Sequence, residues 1–102
     1  MNEFVEAARD MINAEGAPVL IVHASGKKTR TKAVFRNRTE KVVANGTLSF
    51  VTFTEFLIPA LKVKAQSGEQ VVANGSSYVI TQEVDTLTPD GLVAFTTLTV
   101  AS

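Results

Sequence analysis

The chain has no cysteine and only one histidine among its 102 residues. No disulfide and no thiolate metal site can form, and a site built from several histidines is excluded. The missing cysteine suits a reducing compartment. Long hydrophobic runs are also absent. The longest, Ala17–Val22, is far too short for a membrane-spanning helix. Glu3 and Glu6 stand where a secretory leader would carry positive charge, with no continuous apolar stretch behind them. The expectation is a cytosolic product without membrane contact. Past Lys64 there is no further lysine or arginine.

That last absence makes the charge uneven although the chain is neutral overall. Residues 1–16 carry −3, from Glu3, Glu6, Asp10 and Glu15 against Arg9. Residues 27–41 carry +6, and residues 65–102 carry −4. A basic middle between acidic ends suits head-to-tail contact between copies, or contact with a charged partner. At this length the chain forms one domain, 1–102, with a helix over 1–16 and a β domain over 19–102.

What is present is mostly β. Val-Val-Ala-Asn-Gly occurs twice, at Val42–Gly46 and Val71–Gly75. Each copy is a β-prone run ending in Asn-Gly, and Asn-Gly suits a two-residue hairpin turn with positive φ at both central residues. Similarity outside the repeat is thin, so two hairpins that share a turn explain it better than a duplicated domain. The spacing predicts strands at Val19–Ala24, Thr29–Arg36 or a little beyond, Lys41–Ala44, Leu48–Thr54, Gln70–Ala73, Ser77–Val84 and Leu92–Val100. Glu55–Leu61 breaks the alternation and contains Pro59, so it reads as a connector with one helical turn. The fold class expected is mainly β, bordering on α+β: a small antiparallel β-barrel or sandwich of six to seven short strands with one N-terminal α-helix. In that helix Phe4, Val5, Ala8, Met11 and Ile12 form one apolar stripe. Asn2 reads as its N-cap and Gly16 as its C-terminal stop. A helix this short needs a surface to pack on, its own sheet or a neighbouring molecule.

No catalytic set emerges. Gly26-Lys27-Lys28-Thr29 lacks the first glycine and the Ser or Thr placement of a phosphate-binding loop, and no long helix follows it. His23 is the only base available to activate a hydroxyl, and nothing in the sequence aims an acid at it. The strongest signal is the basic segment. If residues 28–38 are extended, Lys28, Arg30, Lys32, Arg36 and Arg38 share one face, while Ala33 and Phe35 point to the core. Such a row solvates an outer face, grips an acidic protein surface, or contacts phosphate.

The order of segments carries a resemblance. A β-rich run Leu48–Thr54 and a short connector precede Ser67-Gly68-Glu69-Gln70-Val71. A hairpin, Tyr78-Val79-Ile80, Val84 and the turn Pro89-Asp90-Gly91 follow, then a last strand. An N-terminal helix and a segment like Thr31-Lys32-Ala33-Val34-Phe35 precede it all. This order resembles the head–tail joining proteins of lambda-like tailed phages, the head-completion and tail-attachment family. The Gly-Asp usual there stands here as Gly68-Glu69. The resemblance implies a small, mostly β protein made as a soluble monomer in the host cytoplasm. It implies assembly as a ring in the virion neck, between portal and tail proteins, near DNA but without sequence-specific binding. It implies no enzyme activity and no cofactor. Lys28, Arg30, Lys32, Arg36, Arg38, Asn45, Gly46, Phe4 and Met11 are then the candidate interface residues. The row Arg30–Arg38 would face the acidic C-terminal half of the next copy. A small β-barrel that binds nucleic acid through residues 28–38 is the alternative.

Overall fold

A computed structural model describes residues 3–101. One helix, α1 (Glu3–Glu15), leads into six strands: β1 (Ala17–Val22), β2 (Lys28–Ala44), β3 (Thr47–Pro59), β4 (Gln70–Ala73), β5 (Ser76–Leu87) and β6 (Val93–Ala101). All pairings are antiparallel, and the sheet closes on itself in the order β1-β2-β3-β6-β5-β4. Closure leaves no open edge within the ring. The mainly β expectation holds, with one N-terminal helix. Asn2 lies outside the described residues.

Both repeats form the expected hairpins. Asn45-Gly46 and Asn74-Gly75 have φ of 53° and 75°, and of 51° and 76°. The flanking pairs are Ala44↔Thr47 and Ala73↔Ser76, so each loop has two residues.

Strand alternation builds the core. Val19, Ile21, Ala33, Phe56, Ile58, Val71, Ile80, Leu98 and Val100 line the inside of the ring. Leu61 and Ala65, from the irregular stretch 60–69, pack against this cluster. The α1 helix lies against β2, β3 and β6. Its stripe divides: Ile12 is fully buried, Val5 and Ala8 are half-buried, and Phe4 and Met11 are exposed.

Three expectations need correction. Thr29–Arg36 and Lys41–Ala44 are one 17-residue strand, so there are six strands, and β2, β3 and β5 are long at 17, 13 and 12 residues. The predicted gap at residues 37–40 is bridged because each of these residues has a partner on β3. Second, Glu55–Leu61 is no helical turn. Its first five residues continue β3 and pair with β6 as far as Pro59↔Phe95. Alternation fails there because both faces are covered. Phe56 and Ile58 face the ring interior, while Glu55 and Leu57, also buried, have the opposite parity. A strand buried on both sides reads as a continuous run. Third, Phe35 shares the inner face with Ala33 but lies outside the packed core. Ala33 is buried, whereas Phe35 is 53% exposed at the ring's mouth.

Gly16 stops the helix for a different reason from the expected left-handed cap. Its φ is not among the positive ones. A Cβ placed there would sit 2.5 Å from the Ile12 carbonyl oxygen and 2.8 Å from that of Ala33. The glycine lets the helix end touch β2. Gly16→Ala should therefore cost about 1–3 kcal/mol through forced displacement of backbone. Urea unfolding measures it; a loss under about 0.5 kcal/mol, the range of a neutral surface change, would contradict this close approach.

Candidate functional site

The long strands β2 and β3 outrun the ring. Strand β2 pairs with β1 only as far as Ala33, and β3 pairs with β6 only from Thr54 onward. Beyond those points β2 and β3 pair only with each other, up to Ala44↔Thr47. Residues 37–53 therefore form a two-stranded arm, roughly 30 Å long at about 3.3 Å per residue. It gives the molecule its elongated shape, 49 × 33 × 24 Å.

Parity assigns the arm two faces. The face continuous with the ring interior runs through the pairs Phe35↔Phe56, Asn37↔Thr54, Thr39↔Thr52, Lys41↔Phe50 and Val43↔Leu48. Thr39 and Thr52 hydroxyls hydrogen-bond at 3.2 Å midway along it. The end of this face is apolar and open to solvent: Val43 is 68% exposed, Phe50 67% and Leu48 52%. Val42 and Val51, on the other face, are also exposed. Asn45 and Gly46 form the turn at the tip.

At the arm's root the ring is open. A recess of about 230 Å³ lies there, lined by Ala17, Pro18, Phe35, Phe56, Tyr78 and their neighbours. Phe35 and Tyr78 each meet Phe56 edge to face, with ring centres 5.4 and 5.5 Å away. The opposite end is filled by the stretch 60–69. There Asp85 accepts hydrogen bonds from Lys64 and Thr96. The Lys64 ammonium, ahead of the opposing effect of burial, holds the Asp85 carboxyl below its ordinary pKa.

The basic row lies on one extended strand, as expected, but it is not a row of free cations. Arg36 Nε donates to Glu55 Oε1 at 3.0 Å, and Arg38 Nε to Glu55 Oε2 at 3.3 Å. The Glu55 carboxylate is buried beneath them. Arg38 also pairs with Glu40 and lies over the Phe53 ring, 4.8 Å from its centre. Glu40, foremost, and Glu55 raise the Arg38 pKa further. Lys32 Nζ donates to the Asn13 carbonyl near the end of α1, 3.2 Å away. Lys28 and Arg30 make no ion pair among the described residues. The acids of the C-terminal half are likewise engaged at home. Glu69 meets His23, Glu83 accepts from Ser67, and Asp85 meets Lys64. Arg36 and Arg38 would reach that half of a second copy only in competition with these pairs, whereas Arg30 makes none among the described residues.

Sequence reasoning missed the partner of His23. Glu69, 46 residues away, places Oε1 3.1 Å from His23 Nδ1. A carboxylate only accepts, so Nδ1 carries a proton, and on the other side of the ring Nε2 lies within hydrogen-bond distance of the Thr29 hydroxyl, 2.7 Å away. Glu69 also accepts from the backbone N–H groups of Ala24 at 2.9 Å and Gln66 at 2.8 Å. Burial works to raise the Glu69 pKa, but Ala24, Gln66 and His23 together hold it below the ordinary value. Hydroxyl, imidazole and carboxylate in line is also how a nucleophile is activated. Here Thr29 lines neither the recess at the arm's root nor the one at the opposite end of the ring. The trio instead ties the β1–β2 turn to the 66–69 turn. The only advance signal was an isolated histidine in an apolar strand and a Gly-acid pair far away.

No protein-family model matches the chain, and a search of curated proteins finds no match. No described helix is long and apolar enough to cross a membrane.

Proposed function

We propose that the chain is a structural adaptor of a phage neck, completing the DNA-filled head and joining it to the tail as part of a ring. The arm is the observation that carries this reading. A two-stranded ribbon is marginal by itself in water. This one extends from a closed ring and holds Val43, Leu48 and Phe50 in solvent. An apolar patch at the end of a long lever marks a contact with another protein rather than a place in this chain's own core. The segment order described above supplies the phage context. Portal and tail proteins are then the partners, and the virion neck the location.

The alternative, nucleic-acid binding through residues 28–38, has less support. Arg36 and Arg38 are already paired with Glu55 and Glu40, which leaves Lys28, Arg30 and Lys32 of the row for phosphate.

Complementation tests the adaptor reading. Tailless, DNA-filled heads and free tails from a mutant lacking this chain are mixed with purified protein, and infectious particles are counted. The full chain should restore joining. A variant with residues 40–51 removed and the strands rejoined by Asn-Gly should keep the ring folded and lose most joining. Equal activity of the shortened chain, or no joining with either, would reject the role given to the arm.

A further inference from the structure

The ring is incompletely zipped at its mouth. Strands β1 and β4 pair from Val22↔Gln70 to Leu20↔Val72 and no further. Yet β1 runs on to Ala17 and β4 to Ala73, each paired there only on its other side. Two hollows meet at this notch. The inner one is the recess of about 230 Å³, walled by Ala17, Val19, Ala33, Phe35, Phe56 and Tyr78. The outer one is a shallow groove of about 370 Å³ along Pro18, Leu20, Arg30 and Val72. Pro18, Val19 and Asn74 line both, so the hollows are continuous.

We infer that this doubled hollow holds an extended acidic segment of another protein, with an aromatic side chain in the recess and a carboxylate on Arg30. The recess has the size and the chemistry for the ring. Its volume exceeds the ~150 Å³ of an apolar cavity that accommodates benzene. Phe35, 53% exposed, and Tyr78 stand beside it, each edge to face with Phe56. A seated ring covers that open apolar surface, and aromatic anchors in such pockets dominate the energy of protein contacts.

Charge selects the acid. The pairs Leu20↔Arg30 and Pro18↔Lys32 put both cations on the outer face, beside the groove. Arg30 is exposed and makes no ion pair among the described residues. Lys32 meets the Asn13 carbonyl rather than a carboxylate. A guanidinium binds a carboxylate through two parallel N–H donors. An extended chain turns neighbouring side chains to opposite sides. A segment that crosses the notch with its aromatic residue inside therefore presents the next residue to the groove, and Phe-Glu is the simplest sequence that fits. A polypeptide also suits the shape, since a small ligand ordinarily buries most of its surface and this groove is open.

The adaptor reading rests on the tip of the arm, and this surface lies at its root. It is tested on purified protein with a synthetic peptide, so neither reading falls with the other.

The probe is Gly-Ser-Gly-Phe-Glu-Gly-Ser-Gly with blocked ends, titrated into the isotope-labelled full chain and followed by NMR. Amide signals of Val19, Arg30, Ala73 and Asn74 should shift saturably at submillimolar peptide, and those of residues 60–69 should not. Serine in place of the peptide's phenylalanine, or Ala17→Trp to fill the recess, should each weaken binding at least about tenfold. Arg30→Glu should reverse the charge preference: the parent takes Phe-Glu over Phe-Lys, and the variant takes Phe-Lys over Phe-Glu. Ala17 and Arg30 are exposed, so unchanged melting confirms that the variants fold. No saturable shift at millimolar peptide would overturn the inference, as would shifts confined to other surfaces or a charge preference that Arg30→Glu leaves unchanged. Phenylacetate or an oligothymidine binding as tightly as the peptide would also overturn it, making the occupant a small aromatic acid or a nucleic acid.

Discussion

Phe56→Ala should unfold this protein more readily than any other single truncation considered, at a cost of about 3–5 kcal/mol. The side chain is 2% exposed and stands where the ring interior meets the arm. It contacts both Phe35 and Tyr78 edge to face, and such pairs each add roughly 0.5–1.5 kcal/mol beyond the area they bury. A domain of this size has only about 5–15 kcal/mol in total. The variant should therefore lose about a fifth or more of its stability in urea melts, and Phe56→Leu should lose markedly less. The result also reports on register. A one-residue slip of β3 would turn Phe56 outward and bring Glu55 and Leu57 inside. A loss of under about 1 kcal/mol for Phe56→Ala, typical of a surface position, would show the strand in that other register.

Glu69→Ala carries the second large effect, about 2–4 kcal/mol. One carboxylate accepts from two backbone N–H groups and the His23 ring. Hydrogen bonds to a charged group contribute roughly 1.5–3 kcal/mol each, and partial access of water to the freed N–H groups keeps the sum below three such bonds. The pH dependence follows from the direction of the Glu69 shift. Its folded pKa lies below the ordinary 4.5, so the unfolded chain takes up the proton first as pH falls. Its contribution is complete above about 4.5 and is lost as pH drops through the folded value. Asp85, also held low, adds to the same acid limb. Melting temperature from pH 7 down to pH 2 should fall steeply only below that point, and Glu69→Gln should flatten the fall. An acid limb identical in Glu69→Gln and the parent would remove Glu69 from the account.

Local chemistry explains what was legible. Asn45-Gly46 and Asn74-Gly75 are turns because Asn and Gly accept positive φ, and no distant residue is needed for that. Alternating residues such as Val19, Ile21, Leu98 and Val100 point inward as their parity requires, and Gly16 was legible as the helix stop although its reason, contact with β2, was not. The basic parity of residues 28–38 was equally readable, as was the lack of thiol chemistry. The misreadings share a cause. Glu55–Pro59 did not look like a strand because α1 and the ring interior cover it from opposite sides. Thr29–Arg36 and Lys41–Ala44 looked separate because polar residues 37–40 interrupt the apolar pattern, and their continuity comes from partners on β3.

The amino-acid sequence alone thus determined the turns, the helix, the β class and the position of the positive charge, since these depend on neighbours within a few residues. Closure of the sheet, the arm beyond it, the neutralising of Arg36 and Arg38 by Glu55, and the meeting of His23 with Glu69 were decided only in three dimensions. Each depends on which strands lie side by side, and that is a balance of burial and pairing over the whole chain.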